Sequence, residues 1–184
     1  MSSLLVASKL ITGGRGLAPA LRRRAAALTL DWDTRQKSRF DAVDSSGRRI
    51  GVFLPRGTIV RGGDVLVAED GSLIVVAALA QALLVVTASP ASRDSGLELL
   101  RAAYHLGNRH VPLEVRADRL VLEPDHVLAE LLRRMGLEVA ETNGAFEPEA
   151  GAYDAASRAH EHGDGHSHDH AHPNDDHGHH RREL

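Results

Sequence analysis

The chain has 184 residues, of which 42% are apolar and 26% charged; none is cysteine, and the formal net charge is −3. At about 100–200 residues per domain, this length allows one compact domain or two small ones. The absent cysteines exclude a disulfide framework, a thiolate nucleophile and iron–sulfur or zinc-finger ligation. The small negative charge offers no general attraction to nucleic acid or anionic membrane.

The N-terminus has only Leu4-Leu5-Val6-Ala7 before Lys9, too short for a secretory signal. The most apolar stretch, Leu73 to Val86, is interrupted by Gln81. It falls short of the ~20 residues that span a bilayer, so it reads as buried core of a soluble, cytoplasmic protein.

Residues 1–80 carry an excess of Lys and Arg, whereas 81–150 and 151–184 each carry an excess of Asp and Glu. The first part reads as β. Ile50–Leu54, Thr58-Ile59-Val60, Val65-Leu66-Val67 and Leu73–Val76 are apolar, β-branched runs separated by turn chemistry. The turns are Asp44-Ser45-Ser46-Gly47, Arg61-Gly62-Gly63-Asp64 and Glu69-Asp70-Gly71-Ser72. A small antiparallel sandwich or barrel-like sheet is expected. Arg22-Arg23-Arg24 reads as a solvated strand edge or loop, with a basic contact patch as the alternative.

Strand and helix then alternate. Ala82 to Thr87 is a buried strand, and Ser89-Pro90 predicts a cap with proline at the first helical position. Leu97, Leu100, Tyr104 and Gly107 share one face of the helix that follows, widened by Leu99, Ala103 and Leu106; Gly107-Asn108 ends it. Val111–Val115 and Arg119–Leu122 form a hairpin across Arg116-Ala117-Asp118. Asp125 caps a second helix with Leu128, Leu131, Leu132 and Met135 at i, i+3, i+4 and i+7, and Gly136 stops it. Leu137-Glu138-Val139 opens the last strand. The βαββαβ order is that of a ferredoxin-like sandwich. The expected fold is therefore α+β. An N-terminal all-β domain (1–78) is followed by a ferredoxin-like domain (79–150) and a disordered histidine-rich tail (151–184), too poor in apolar residues to fold alone.

Twelve histidines are unevenly placed: His105, His110 and His126 lie in the body and nine in the tail. The tail contains His160-Glu-His162, His166-Ser-His168-Asp-His170-Ala-His172 and His177-Gly-His179-His180, with Asp164, Asp169, Asp175 and Asp176 among them. Alternating imidazoles on a flexible chain converge on a divalent ion with little strain, and they suit Zn, Cu, Fe or Ni. Metal binding is preferred to an expression tag, because no run exceeds two histidines, and to a solvated tail without a role. His105 reads as a packed or capping residue. His126 lies just inside a helix N-terminus, where the dipole favours a neutral ring; it is a candidate ligand beside an ordinary surface reading. His110 follows a helix stop. One histidine cannot hold a divalent ion, but a two-fold axis beside it presents two, so a homodimer with a metal on its axis is expected, completed by tail histidines. An enzyme is disfavoured: there is no His-Glu-x-x-His pairing, Gly-x-Ser-x-Gly elbow or P-loop.

Ala103-Tyr104-His105-Leu106-Gly107-Asn108-Arg109-His110-Val111-Pro112-Leu113 resembles the signature of the UreE urease accessory family of nickel metallochaperones. Asp125-His126-Val127-Leu128, Arg134-Met135-Gly136 and Phe146-Glu147-Pro148-Glu149-Ala150-Gly151-Ala152-Tyr153 resemble that family in order and spacing. The resemblance implies an N-terminal domain of peptide-binding type and a dimerising metal domain that donates Ni²⁺ to apo-urease. The implied partners are the GTPase UreG and the accessory proteins UreF and UreD. His110 matches the family's dimer-interface ligand. His126 matches a peripheral histidine that some members accompany with another two residues earlier, where this chain has Pro124. Imidazoles also bind Zn²⁺ and Cu²⁺, so the choice of nickel comes with the resemblance. The alternative is a general histidine-rich nickel or zinc buffer.

Overall fold

The structure is a computed structural model, and it describes residues 4–150. The tail histidines, and the expected disorder of 151–184, lie outside the described residues. Among these residues no helix is long and apolar enough to cross a membrane.

The first half forms a six-stranded sheet from β1 (Leu5–Ile11), β2 (Ala26–Leu30), β3 (Arg39–Val43), β4 (Arg49–Phe53), β5 (Val65–Ala68) and β6 (Leu73–Ala78). Short helices α1 (Pro19–Arg24) and α2 (Trp32–Arg35) flank β2. The spatial order is β2-β6-β5-β1-β4-β3. Pairing is antiparallel except that β1 runs parallel to β4 and β2 to β6, so the expected purely antiparallel sheet is corrected to a mixed one. Its two ends meet: beyond β3, the Ser45 N–H donates to the Ala27 carbonyl of β2 at 2.8 Å, and the Ala27 N–H donates to Ser45 Oγ at 2.9 Å. Inside lie Leu28, Ile50, Val52, Leu66 and Ile74, all fully buried.

Three expectations for this half are corrected. Thr58-Ile59-Val60 is not a strand. Pro55 and Gly57 (φ +81°) make a turn there, and Val60 is apolar because it plugs the core as its N–H bonds the Arg35 carbonyl at 2.9 Å. Arg22-Arg23-Arg24 forms the last turn of α1, where cations complement the helix dipole, rather than a strand edge or loop. Strands β1, β2 and β3 were not anticipated: their apolar alternation is weak, and β1 and β2 pair with strands far along the chain.

The second half is β7 (Ala80–Ala88), α3 (Ser95–Gly107), β8 (Glu114–Val115), β9 (Leu120–Leu122), α4 (His126–Arg134) and β10 (Leu137–Ala145). The sheet order is β10-β7-β9-β8, antiparallel throughout. Side chains alternate across β7. Leu84 and Val86 face α3 and α4 in a core with Leu106, Leu120, Leu122 and Leu132. Leu83 faces the other way, against Trp32, Val121 and Phe146. Trp32 comes from the first half, so this third cluster joins the two halves; the rings of Trp32 and Phe146 meet edge-on with centroids 5.9 Å apart.

The Asp125 cap behaves as its sequence indicates: its Oδ1 accepts from the N–H groups of Val127 and Leu128. The start of α3 is corrected. Ser89 and Ser92 hydrogen-bond to backbone within 89–94, and Asp94 caps the helix by accepting from the Leu97 N–H at 3.0 Å. The face of α3 is corrected too. Leu99, Ala102 and Leu106 are buried, whereas Leu97, Leu100 and Tyr104 are 42%, 68% and 71% exposed.

Candidate metal centre

Helix α3 delivers His110. Its last turn unwinds through consecutive bonds: Asn108 N–H to the Tyr104 carbonyl, Arg109 N–H to Leu106, and His110 N–H to Gly107 at 2.9 Å. His110 closes this turn with φ +58°, the only non-glycine residue among those described with a positive φ. The left-handed region is unfavourable for an L-residue, though histidine visits it more readily than most. The side chain is exposed and lines an open cleft of about 300 Å³ with Val111, Pro112, Glu123 and Asp125. The two carboxylates there already have partners. Glu123 accepts from Gln81 Nε2 at 2.8 Å, and Asp125 Oδ1 is taken up by the helix cap.

His126, the first residue of α4, is exposed and does not line this cleft. Among the described residues, no group of three His, Asp or Glu side chains is close enough to hold a metal ion. His160, His162, His166, His168, His170, His172, His177, His179 and His180 lie outside the described residues. His105 is neither packed nor capping: it is exposed, with its ring edge-on to Tyr104 at 5.4 Å, while its carbonyl accepts from Arg109 Nη1 at 2.9 Å. At about 100° per residue, His105 lies roughly a quarter-turn round α3 from the face that Leu99, Ala102 and Leu106 bury.

Two buried charged residues meet the segment that follows β10, close to β8, and sequence reading did not single them out. Arg35 is fully buried. Its Nη1 donates to Glu147 Oε1 at 2.8 Å, its Nη2 to the Phe146 carbonyl and its Nε to the Leu30 carbonyl at 3.3 Å. Its guanidinium and that of Arg61 lie 5.3 and 5.1 Å from the Trp32 ring centroid. Arg61 also reaches the Glu147 carboxylate at 3.4 Å and the Pro148 carbonyl. Glu114, the other buried charge, accepts from the Glu147 N–H and pairs with Arg116 at 3.1 Å. A lone tryptophan three residues before an arginine was the available signal, but the matching acid is more than a hundred residues away.

The fold and site define a two-domain, mostly β protein whose candidate ligand stands exposed in the turn between α3 and the edge strand β8. Comparison with known proteins agrees with that description. Residues 7–79 match the family model described as UreE urease accessory protein, N-terminal domain, and residues 81–181 match its C-terminal domain. The urease accessory protein UreE of Polaromonas naphthalenivorans is 62% identical over 86% of this chain and 76% of its own length. Those of Albidiferax ferrireducens (60% identical; 86% of this chain, 91% of the relative) and Methylibium petroleiphilum (64%; 84% and 70%) are similarly related. The chain belongs to the UreE urease accessory protein family.

Proposed function

We propose that this chain is a non-enzymatic metallochaperone that takes Ni²⁺ as cargo and donates it to apo-urease. His110 from each of two copies forms the primary site. The observation that carries this reading is the presentation of His110: an exposed imidazole held in a left-handed turn, with no second ligand supplied by its own described residues. A backbone conformation of this kind persists where surrounding structure over-determines it, and such strain clusters at functional sites. The described residues of one copy offer too few donors; two copies related by a two-fold axis offer a pair of His110 imidazoles.

The exposed stripe Leu97, Leu100 and Tyr104 on α3, which leads directly into the His110 turn, supports a homodimer that covers these side chains. The chain leaves Glu149, whose N–H bonds the Leu113 carbonyl at 2.8 Å, for a segment rich in histidine, which supports a role for tail histidines in completing the site and holding a reserve of metal. His126 is proposed as a peripheral ligand. Zn²⁺ and Cu²⁺ compete for imidazoles in vitro. The strand order of the second sheet supports a ferredoxin-like metal domain. Family membership supports partnership with UreG, UreF and UreD in the cytoplasm.

Urease activation at limiting nickel tests the reading. The His110→Ala protein is expected to lose most activation and a protein truncated at residue 153 to keep much of it. The reverse result favours the second reading, a histidine-rich nickel or zinc buffer, which the composition of the tail supports.

A further inference from the structure

We propose that Glu147 is a positioning residue that ties the edge strand carrying the His110 turn to the N-terminal domain. The proposal rests on the reading of His110 as a ligand. Strand β8 is two residues long, lies at the end of its sheet and pairs with β9 alone. An edge this short frays unless something covers it. Here the chain after β10 covers it: the Glu149 N–H donates to the Leu113 carbonyl at 2.8 Å, and the Glu147 N–H donates to the Glu114 carboxylate. His110 is three residues before Leu113, within about 10 Å along even an extended chain.

The covering segment is gripped in turn from the N-terminal domain. The Glu147 carboxylate accepts from Arg35 Nη1 and from the Gly62 N–H, both at 2.8 Å, and from Arg61 at 3.4 Å. The same two arginines hold the carbonyls on either side of it, at Phe146 and Pro148. Arg35 has no exposed surface, so in the folded protein its Nη1 is satisfied by the Glu147 carboxylate and not by solvent. Gly62 is part of this arrangement: a Cβ there would lie 2.8 Å from Glu147 Oε1. Glu147 is therefore bonded to the N-terminal domain through its side chain and to β8 through its backbone, and a shift in one reaches the other.

The test uses full-length, metal-free, ¹⁵N-labelled protein as wild type, Glu147→Ala, Glu147→Gln and Gly62→Ala. Amide exchange is followed at Glu114 and His110, with Leu28 and Ile74 reporting on the N-terminal core. Glu147→Ala and Gly62→Ala are expected to speed exchange at Glu114 about 10- to 100-fold, as loss of a charge-assisted hydrogen bond predicts, and to move the His110 imidazole resonance. Leu28 and Ile74 should stay protected, and Glu147→Gln, which keeps the acceptor oxygen, should retain part of the protection at Glu114. Nickel affinity by calorimetry should fall about tenfold in the same two variants. Exchange rising equally in core and edge, or an unmoved His110 resonance, overturns the proposal. Should Glu147→Ala not fold, Gly62→Ala decides alone, because it disturbs one carboxylate oxygen. A His110→Ala protein that binds nickel like wild type would sink the ligand reading while leaving the metal-free result standing.

Discussion

Replacing His110 by glycine should stabilise the protein relative to replacing it by alanine. The His110 side chain is exposed, so either truncation removes little packing, and the backbone bond to the Gly107 carbonyl survives in both. What differs is the cost of holding φ at +58°, which alanine bears and glycine does not. That difference is about 1–2 kcal/mol in the folded state, reduced by the greater unfolded-state entropy of glycine to a net of about 1 kcal/mol. For a chain of this size it corresponds to roughly 2–4 °C in Tm. Trp32, the sole tryptophan and a buried one, reports unfolding by its fluorescence in urea with a chelator present, so that bound metal does not contribute. Both variants should lose nickel binding at this site equally. A glycine variant no more stable than the alanine variant would refute the left-handed turn and the argument from strain built on it. The expected ordering also means that the native histidine is retained against backbone preference, which is understandable if its imidazole is the purpose of the turn.

Arg35→Ala should destabilise by about 3 kcal/mol, the low end for breaking a buried pair, because the abandoned Glu147 side chain is 29% exposed and can turn to water; a loss below about 1 kcal/mol in urea unfolding would contradict the clamp. Burial raises the Asp44 carboxyl, but hydrogen bonds from Ser46 and Arg48 outweigh it and bring it from 3.8 down to about 2. A depressed carboxylate stabilises the fold fully above its unfolded value and loses that contribution as pH falls through about 2. Asp44→Asn should therefore flatten the acid limb of the stability curve between about pH 4 and 2, and an unchanged limb would deny Asp44 this role. Leu100→Glu, at a 68% exposed position, should halve the mass seen by light scattering at micromolar concentration and lower the melting temperature only by the stabilisation that association supplied; a persistent dimer would place the interface elsewhere.

The parts of the fold legible in the sequence are those whose causes lie within a few residues. Helix α4 could be bounded at both ends because Asp125 caps its own helix and Gly136 supplies the positive φ that ends it. Strands β5 and β6 could be placed because tight turns flank them. The second sheet's element order followed from the same local signals. By contrast, α3 carries apolar side chains on nearly two faces, Leu97/Leu100/Tyr104 and Leu99/Ala102/Leu106. Periodicity alone cannot say which one meets the sheet. The parallel pairs β1–β4 and β2–β6 were equally hidden, since no turn records which distant strand a strand will join. His110 was recognisable as a candidate by its motif, but not its left-handed backbone, which arises from how α3 unwinds against Gly107.

The sequence by itself determined where α4 starts and stops and where α3 ends, that cysteine chemistry is absent, and that imidazoles are the available metal donors. These depend on residue chemistry and on contacts between near neighbours. Only the tertiary structure decided that His110 stands exposed with no second ligand among the described residues, that α3 leaves an apolar stripe exposed there, and that Arg35 and Glu147 meet across 112 residues of chain. The physical reason is the range of the interactions. Caps and turns act over a few bonds, whereas a buried charge takes whichever partner the packing of two sheets brings to it, and nothing near Arg35 in the chain names Glu147.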